Sequence, residues 1–287
     1  MLEKLNNRNE VELYEYFVKI SHNIPFYYSV NFDLWYKCML KDCSEDGILL
    51  FKELETYVFY EKNVIKGFIQ FGISNFTFEE NGKKDYGNQY GIIRNLHFCI
   101  DSLNPEEMLD LAIQYFSEKE IKKIHAFFHY FGMSCYARNG KLHESNFHIE
   151  NLLNKYSFRI EHENIVFSRN LENVEFKYYF DIYYKMKQIG DNKHFIEFLL
   201  NDVLIGFCEI VLLQNNICYL LYFTIIDKFR NKGFGKKCIN NVCFILKKKN
   251  IAKIDVDTID KNVIAQKFYL KNGFIKKGNI RSYFKED

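Results

Sequence analysis

Ile217-Cys218-Tyr219-Leu220-Leu221-Tyr222-Phe223-Thr224-Ile225-Ile226 is followed, after Asp227-Lys228-Phe229, by Arg230-Asn231-Lys232-Gly233-Phe234-Gly235. The first run is apolar, β-branched or aromatic throughout, the pattern of a strand covered on both faces. The second is basic and glycine-rich. Two glycines separated by one residue allow a backbone to come close to a ligand and to take dihedrals closed to other residues. From Gly235 onward Cys238, Ile239, Val242, Ile245 and Leu246 recur at three- and four-residue steps, so a helix with one apolar face starts at the turn. Its first amides have no partner within the helix. Together with the positive end of the helix dipole and the charges of Arg230, Lys232, Lys236 and Lys237, they form a seat for a pyrophosphate.

Downstream come a strand pattern at Ile254 to Thr258, then Asn262-Val263-Ile264-Ala265, Phe268-Tyr269 and Asn272-Gly273-Phe274. With these residues the sequence resembles the GCN5-related N-acetyltransferase (GNAT) superfamily. Its signature is an Arg/Gln-x-x-Gly-x-Gly/Ala turn followed by Asn, Ala, Tyr and a closing Gly-Phe at this spacing.

The resemblance implies acetyl-CoA as acyl donor. Its pyrophosphate would lie on Arg230, Asn231, Lys232, Gly233, Phe234, Gly235 and Lys236, and its pantetheine arm along the strand near Phe223 and Ile225. Asn262 would touch the same arm. Tyr269 falls where the family commonly keeps a tyrosine that protonates the departing thiolate, work that needs a hydroxyl within reach of the sulfur. The plain alternative for Tyr269 is an aromatic packed on a core helix, in a chain with 21 tyrosines.

The whole chain has 287 residues, 48% apolar and 26% charged, enough for one large or two ordinary domains with a sizeable core. A net charge of +2 gives no general attraction to nucleic acid or to an anionic membrane, so the charge at the glycine turn is local. Lys247-Lys248-Lys249 ends the same helix, where cations suit the dipole and face solvent. No apolar run reaches the roughly 18 residues of a membrane span and Met1 to Asn7 has no signal-like core, which leads us to expect a soluble cytoplasmic protein. The eight cysteines are scattered without Cys-x-x-Cys pairs, so neither a metal site nor a disulfide framework is expected. His97, His125 and His129 could serve a cysteine nucleophile as bases, but no spacing supports it.

Ahead of this region, helical patterns at Val11 to Ile20 and Val30 to Leu40 precede strand patterns at Ile48 to Tyr60, Val64 to Ile73 and Ile92 to Ile100. A helix at Pro105 to Phe116, a strand at Lys123 to Phe128, a helix at Asn146 to Lys155 and a strand at Asn164 to Ser168 follow. This α+β order with a mixed sheet is also that of the acetyltransferase fold. It repeats. Asn63 to Phe68 resembles Asp202 to Phe207, Cys99-Ile100-Asp101 falls opposite Ile225-Ile226-Asp227, and Asn146 to Phe158 lies on Asn262 to Phe274 without a gap. We therefore expect two tandem GNAT folds. Residues 1–170 would be a copy without a coenzyme site, and residues 171–287 the acetyl-CoA-binding catalytic copy. The latter would have at most one helix (Glu175 to Lys187) before its strands His194 to Leu200 and Val203 to Leu213.

The copies differ at the chemistry. Opposite the glycine turn the first has Asn104-Pro105-Glu106-Glu107, a well-built helix start whose carboxylates would repel a phosphate. Leu153 stands opposite Tyr269. The mechanism implied is direct attack of a primary amine, of a small molecule or a peptide, on the thioester in a ternary complex. Glu209, Glu197 and Asp257 are candidates to take the amine's proton, with Glu209 preferred and strand parity to decide. A CoA-binding protein without turnover and an aminoacyl-tRNA-dependent transferase are the rival readings. The acceptor and the oligomeric state leave no motif.

Overall fold

A computed structural model describes residues 1–44, 46–79, 81–133 and 140–286. The chain divides into two compact units, Met1–Glu163 with Ile280–Asp287, and Asn164–Asn279. In order, the elements are β1 (Leu2–Lys4), α1 (Glu10–Asn23), α2 (Phe32–Leu40), β2 (Phe51–Glu61), β3 (Val64–Ser74), β4 (Thr77–Phe78), β5 (Lys84–Asp85), β6 (Gly91–Phe98), α3 (Glu106–Glu118), β7 (Lys123–Ala126), β8 (Leu142–His143), α4 (Phe147–Lys155) and β9 (Arg159–Asn170). Then come β10 (Tyr183–Gly190), β11 (Lys193–Leu200), β12 (Val203–Leu213), β13 (Ile217–Ile225), α5 (Phe234–Lys248), β14 (Lys253–Ile259), α6 (Val263–Lys271) and β15 (Ile275–Glu286).

In the first unit β1, β2, β3 and β6 pair antiparallel, β6 and β7 parallel, and β7 pairs antiparallel with Tyr283–Glu286 of β15. In the second, β10 to β13 form an antiparallel meander, β13 and β14 pair parallel, and β14 pairs antiparallel with Asn164–Asn170 of β9. Each mixed sheet is therefore completed by a strand that follows the other unit's last helix, β9 after α4 and β15 after α6.

The repeat read from the sequence is physical. Helices α4 and α6 are both nine residues long, are preceded by Asn146 and Asn262, and are followed by left-handed residues at Ser157 (φ 66°) and Gly273 (φ 78°). The hairpins β2–β3 and β11–β12 both turn through paired left-handed residues, Lys62-Asn63 and Asn201-Asp202. The strand match needs a one-residue correction. Gly67 pairs with Phe98 and Gly206 with Ile225, so Cys99 corresponds to Ile226 and not to Ile225.

The expected helix from Glu175 to Lys187 is absent. Its second half is β10, where Tyr184 and Met186 lean on the core while Tyr183, Lys185 and Lys187 face out. An edge strand with lysines on its outer face reads like a helix because lysine and methionine are good helix formers.

In the second unit Cys238, Ile239, Val242 and Leu246 of α5 pack on Ile196, Cys208, Ile210 and Leu220 of the sheet, and Tyr269 of α6 joins the same cluster. Each such side chain contributes about 1.5–3 kcal/mol by leaving water. In the first unit Leu109 and Phe116 of α3 and Leu153 of α4 pack on Ile69, Ile93 and Ala126, and a second cluster sets Leu13, Phe17 and Trp35 of α1 and α2 on Val58 and Phe68. No helix among the described residues is long and apolar enough to cross a membrane.

Candidate functional site

Strands β13 and β14 are in register only from Ile217–Lys253 to Leu220–Val256, so the end of β13 runs on without a partner in β14. Where they part, a cleft of about 900 Å³ opens in the second unit. Its apolar part is Phe223, Ile225, Ala265, Phe268 and Tyr269; its charged part is Arg230, Lys236 and Lys271, and no carboxylate lines it. An apolar throat ending in cations and an open helix start suits a long ligand with an anionic end.

The glycine turn has the backbone that its sequence requires. Gly233 is left-handed (φ 82°) immediately before α5, and Asn231 is left-handed too (φ 60°). A Cβ at Gly233 would meet nothing within 4 Å, so the demand there is conformational. At Gly235 the demand is space, because a Cβ would stand 3.1 Å from the Phe268 ring, which is itself stacked on Phe223 at 5.3 Å. Arg230 donates from Nε to the Ile225 carbonyl at 2.8 Å and pairs with Asp227 at 2.9 Å, which ties the turn to the end of β13.

Of the residues singled out in the sequence, Phe223, Ile225, Arg230, Asn231, Gly233, Gly235, Lys236, Asn262 and Tyr269 line this one cleft. Lys232 is exposed and Phe234 packs edge-on to Phe229 at 6.0 Å; neither is among the lining residues. Asn262 caps α6, its side-chain oxygen accepting from the Ala265 amide at 3.1 Å.

Tyr269 is buried between Phe167, Phe268 and Phe274, and its hydroxyl has no hydrogen-bond partner among the described residues. Burial, with the Asp257 carboxylate a smaller cause, holds its pKa above the ordinary tyrosine value, so the phenol keeps its proton at neutral pH.

The three carboxylates fall in two places. Glu209 and Glu197 lie on the sheet face away from α5; Glu209 is paired in register with Tyr222, a lining residue, and its carboxylate is 3.6 Å from Lys193. Asp257 accepts from the Tyr219 hydroxyl and the Asn164 amide. None of the three lines the cleft.

Sequence reasoning did not single out Tyr222, Thr224, Lys271 or Asn272 as site residues, although they line the cleft. Tyr222 and Thr224 are visible only once the β13 bulge between Leu220 and Tyr222 is known.

Among the described residues of the first unit this arrangement of groups is absent. Its α3 starts with Glu106 and Glu107, and Glu106 is bound by Lys155 at 3.1 Å. Leu153, opposite Tyr269, is fully buried in the core.

Cys208, Cys218, Cys238 and Cys243 are buried, and burial raises their thiol pKa values, to about 12 for Cys238 and about 11 for Cys243. Thiols held protonated in this way are poor nucleophiles. Cys135 lies outside the described residues. Among the described residues no group of three or more His, Cys, Asp or Glu is placed to hold a metal ion.

Residues 159–274 match the model of the acetyltransferase (GNAT) family. No curated protein sequence matches the chain. Among solved structures the chain is similar to a tandem GNAT protein from the clavulanic acid biosynthesis pathway, with 6% identity, TM-score 0.69, and 100% of this chain and 98% of that one covered. It is similar to a GCN5-related N-acetyltransferase from Sphaerobacter thermophilus, with 8% identity, TM-score 0.61, and 100% and 95% covered. A third similarity is to a fungal multi-domain GH3 β-N-acetylglucosaminidase containing a GCN5-related glucosamine N-acetyltransferase region, with 11% identity and TM-score 0.64; 99% of this chain is covered, and it spans 38% of that protein's length. At such identities the likeness is one of fold. Residues 159–274 are thus similar to an acetyltransferase (GNAT)-family domain, and the chain has the fold of a tandem GNAT protein.

Proposed function

We propose that the second unit is an N-acetyltransferase that draws on acetyl-CoA and acetylates a primary amine by direct attack in a ternary complex. The observation that carries this reading is the one cleft in which Phe223, Ile225 and Phe268 lead to Arg230, Lys236 and Lys271, with no carboxylate among its lining residues and Asp227, the partner of Arg230, outside that lining. The turn from Arg230 to Gly235 and the start of α5 would hold the pyrophosphate, and the end of β13 would pair with the pantetheine arm. The thioester supplies the activated acetyl group. A carbon–nitrogen bond forms as the carbon–sulfur bond breaks. Tyr269, its phenol proton-loaded and unengaged, would protonate the sulfur, and Glu209 would take the ammonium's proton directly or through water. The first unit, with Glu106 and Glu107 where the second has its glycine turn, would be without donor chemistry.

Calorimetric titration of acetyl-CoA and CoA into the wild type and Gly233→Glu tests the donor site. Micromolar binding that the substitution abolishes is expected. Absence of binding to the wild type would refute it, and binding without thiol release in the presence of any amine would leave a CoA-binding protein without turnover.

A further inference from the structure

The two sheets differ in what covers the face away from α3 and α5. In the first unit α1 and α2 lie on it: Leu13, Phe17 and Trp35 pack on Val58 and Phe68, and the Gln70 amide is sealed against the Met39 carbonyl at 2.8 Å. In the second unit β10 passes to β11 through Asp191 and Asn192 alone, and both helices of that unit pack on the other face. By strand register, Val58, Gln70 and Asn95 of the first unit become Glu197, Glu209 and Tyr222 in the second.

This face, on which no helix of the second unit packs, carries a row of rings, Phe195 and Phe207 half-buried and Tyr222 exposed. Phe195 and Phe207 are 5.3 Å apart, and Phe207 stacks on Tyr222 at 5.6 Å with 26° between planes. The carboxylates alternate with them, Glu209 in register between Phe195 and Tyr222, and Glu197 opposite Phe207. Tyr222 is 52% exposed and also lines the cleft, so the face and the cleft meet at this residue. Lys193 stands 3.6 Å from Glu209, and Lys185 and Lys187 occupy the outer strand β10, at the far side of the sheet from Tyr222. The end next to the cleft thus holds the Phe207 and Tyr222 rings and the Glu209 carboxylate, which is paired with Lys193. Stacked rings bind flat apolar surface, and carboxylates beside π faces favour an ammonium.

We infer that this face seats the acceptor, and that the acceptor is a small primary amine, cationic at nitrogen and carrying an aromatic body. This rests on the reading of the cleft as the donor site. The rings would hold the body while the nitrogen lies at Glu209 and Tyr222, beside the end of β13.

Thiol release from acetyl-CoA is compared with 2-phenylethylamine and with ethylamine. The KM for the aromatic amine should be lower by about tenfold, and Phe207→Ala should narrow that gap by about fivefold while acetyl-CoA binds as before. Phe195→Ala supplies the same reading should Phe207→Ala not fold. Equal KM values, or a preference that neither substitution alters, would overturn the inference. So would a dimer in sedimentation equilibrium that Phe207→Arg dissociates, because the face would then belong to a second copy. Direct titration of 2-phenylethylamine without donor separates this outcome from failure of the donor reading. Saturable binding lost in Phe207→Ala supports the seat even if acetyl-CoA does not bind, and no binding in either form refutes it.

Discussion

Gln70 and Glu209 occupy the same place in their two sheets. Each pairs immediately ahead of a bulge, Gln70 with Asn95 before the register shifts at Phe71, Glu209 with Tyr222 before it shifts at Ile210. Gln70 is fully buried and donates to the Met39 carbonyl and to Thr56 Oγ1 at 2.9 Å, whereas the Glu209 side chain is 32% exposed. One fold position holds a sealed amide in one unit and a reachable carboxylate in the other. Bulges commonly re-aim a side chain next to an active site.

Glu209→Gln therefore gives the second unit the first unit's residue. Acetyl-CoA affinity should stay within about twofold, because no part of Glu209 lines the cleft, while acetyl transfer falls by at least about tenfold. Loss of the pair with Lys193 should cost under about 1 kcal/mol, since such partly exposed pairs contribute little. A rate equal to that of the wild type would remove Glu209 from the chemistry.

Tyr269→Phe keeps the ring among Phe167, Phe268 and Phe274 and deletes a hydroxyl with no partner among the described residues. Unfolding free energy should change by less than about 1 kcal/mol. Turnover should fall by about a hundredfold with donor binding preserved. A large loss of stability with turnover intact would make Tyr269 a packing residue only.

Gly233 and Gly235 should fail in different ways. Gly233→Ala puts a Cβ into open space but onto a left-handed backbone, at a cost of about 1–2 kcal/mol, and thermal melting should show it. Gly235→Ala should leave stability nearly level, since alanine favours the helix by about 1 kcal/mol, while its methyl crowds Phe268. Donor affinity, measured by calorimetry, should drop in both.

Acid should weaken the first unit through His97. This ring is buried, accepts from or donates to the Tyr16 hydroxyl at 2.8 Å, and is held neutral by burial, its pKa lowered from 6.5 to about 3. Between those values the unfolded chain binds a proton that the folded one refuses. Stability is therefore present above pH 6.5 and is lost as pH falls toward 3, by up to about 1.4 kcal/mol per pH unit for one such group. Urea midpoints at pH 7.5 and 5 should differ less in His97→Gln than in the wild type; an unchanged difference would acquit this histidine.

Much of the fold was legible because its signals are local. Asn262 caps a helix that Gly273 ends, Asn146 stands at the same place before its counterpart, and the glycine turn announces α5. What the sequence hid depends on pairing. Arg159, Glu161 and Glu163 are charged, and the one large apolar residue among them, Ile160, is exposed, so β9 reads as starting only at Asn164. Tyr183–Gly190 alternates only over its first five residues, and its lysines and methionine favour a helix reading. The place of Tyr222 beside the cleft follows from a bulge, a feature with no composition of its own.

The strand that pairs with β7 is the last part of the described chain to be synthesised. Lys123 to Ala126 must wait, one edge open, while every residue of the second unit is made, before Tyr283–Glu286 arrive to cover it. Asn164–Asn170, which completes the second sheet, is by contrast already present when β14 emerges. The unit that leaves the ribosome first is thus completed last. Pairings this far apart in sequence form slowly, and an uncovered edge can capture other chains in the interval. Whatever the first unit contributes, it can do so only in a molecule whose second unit has already been translated.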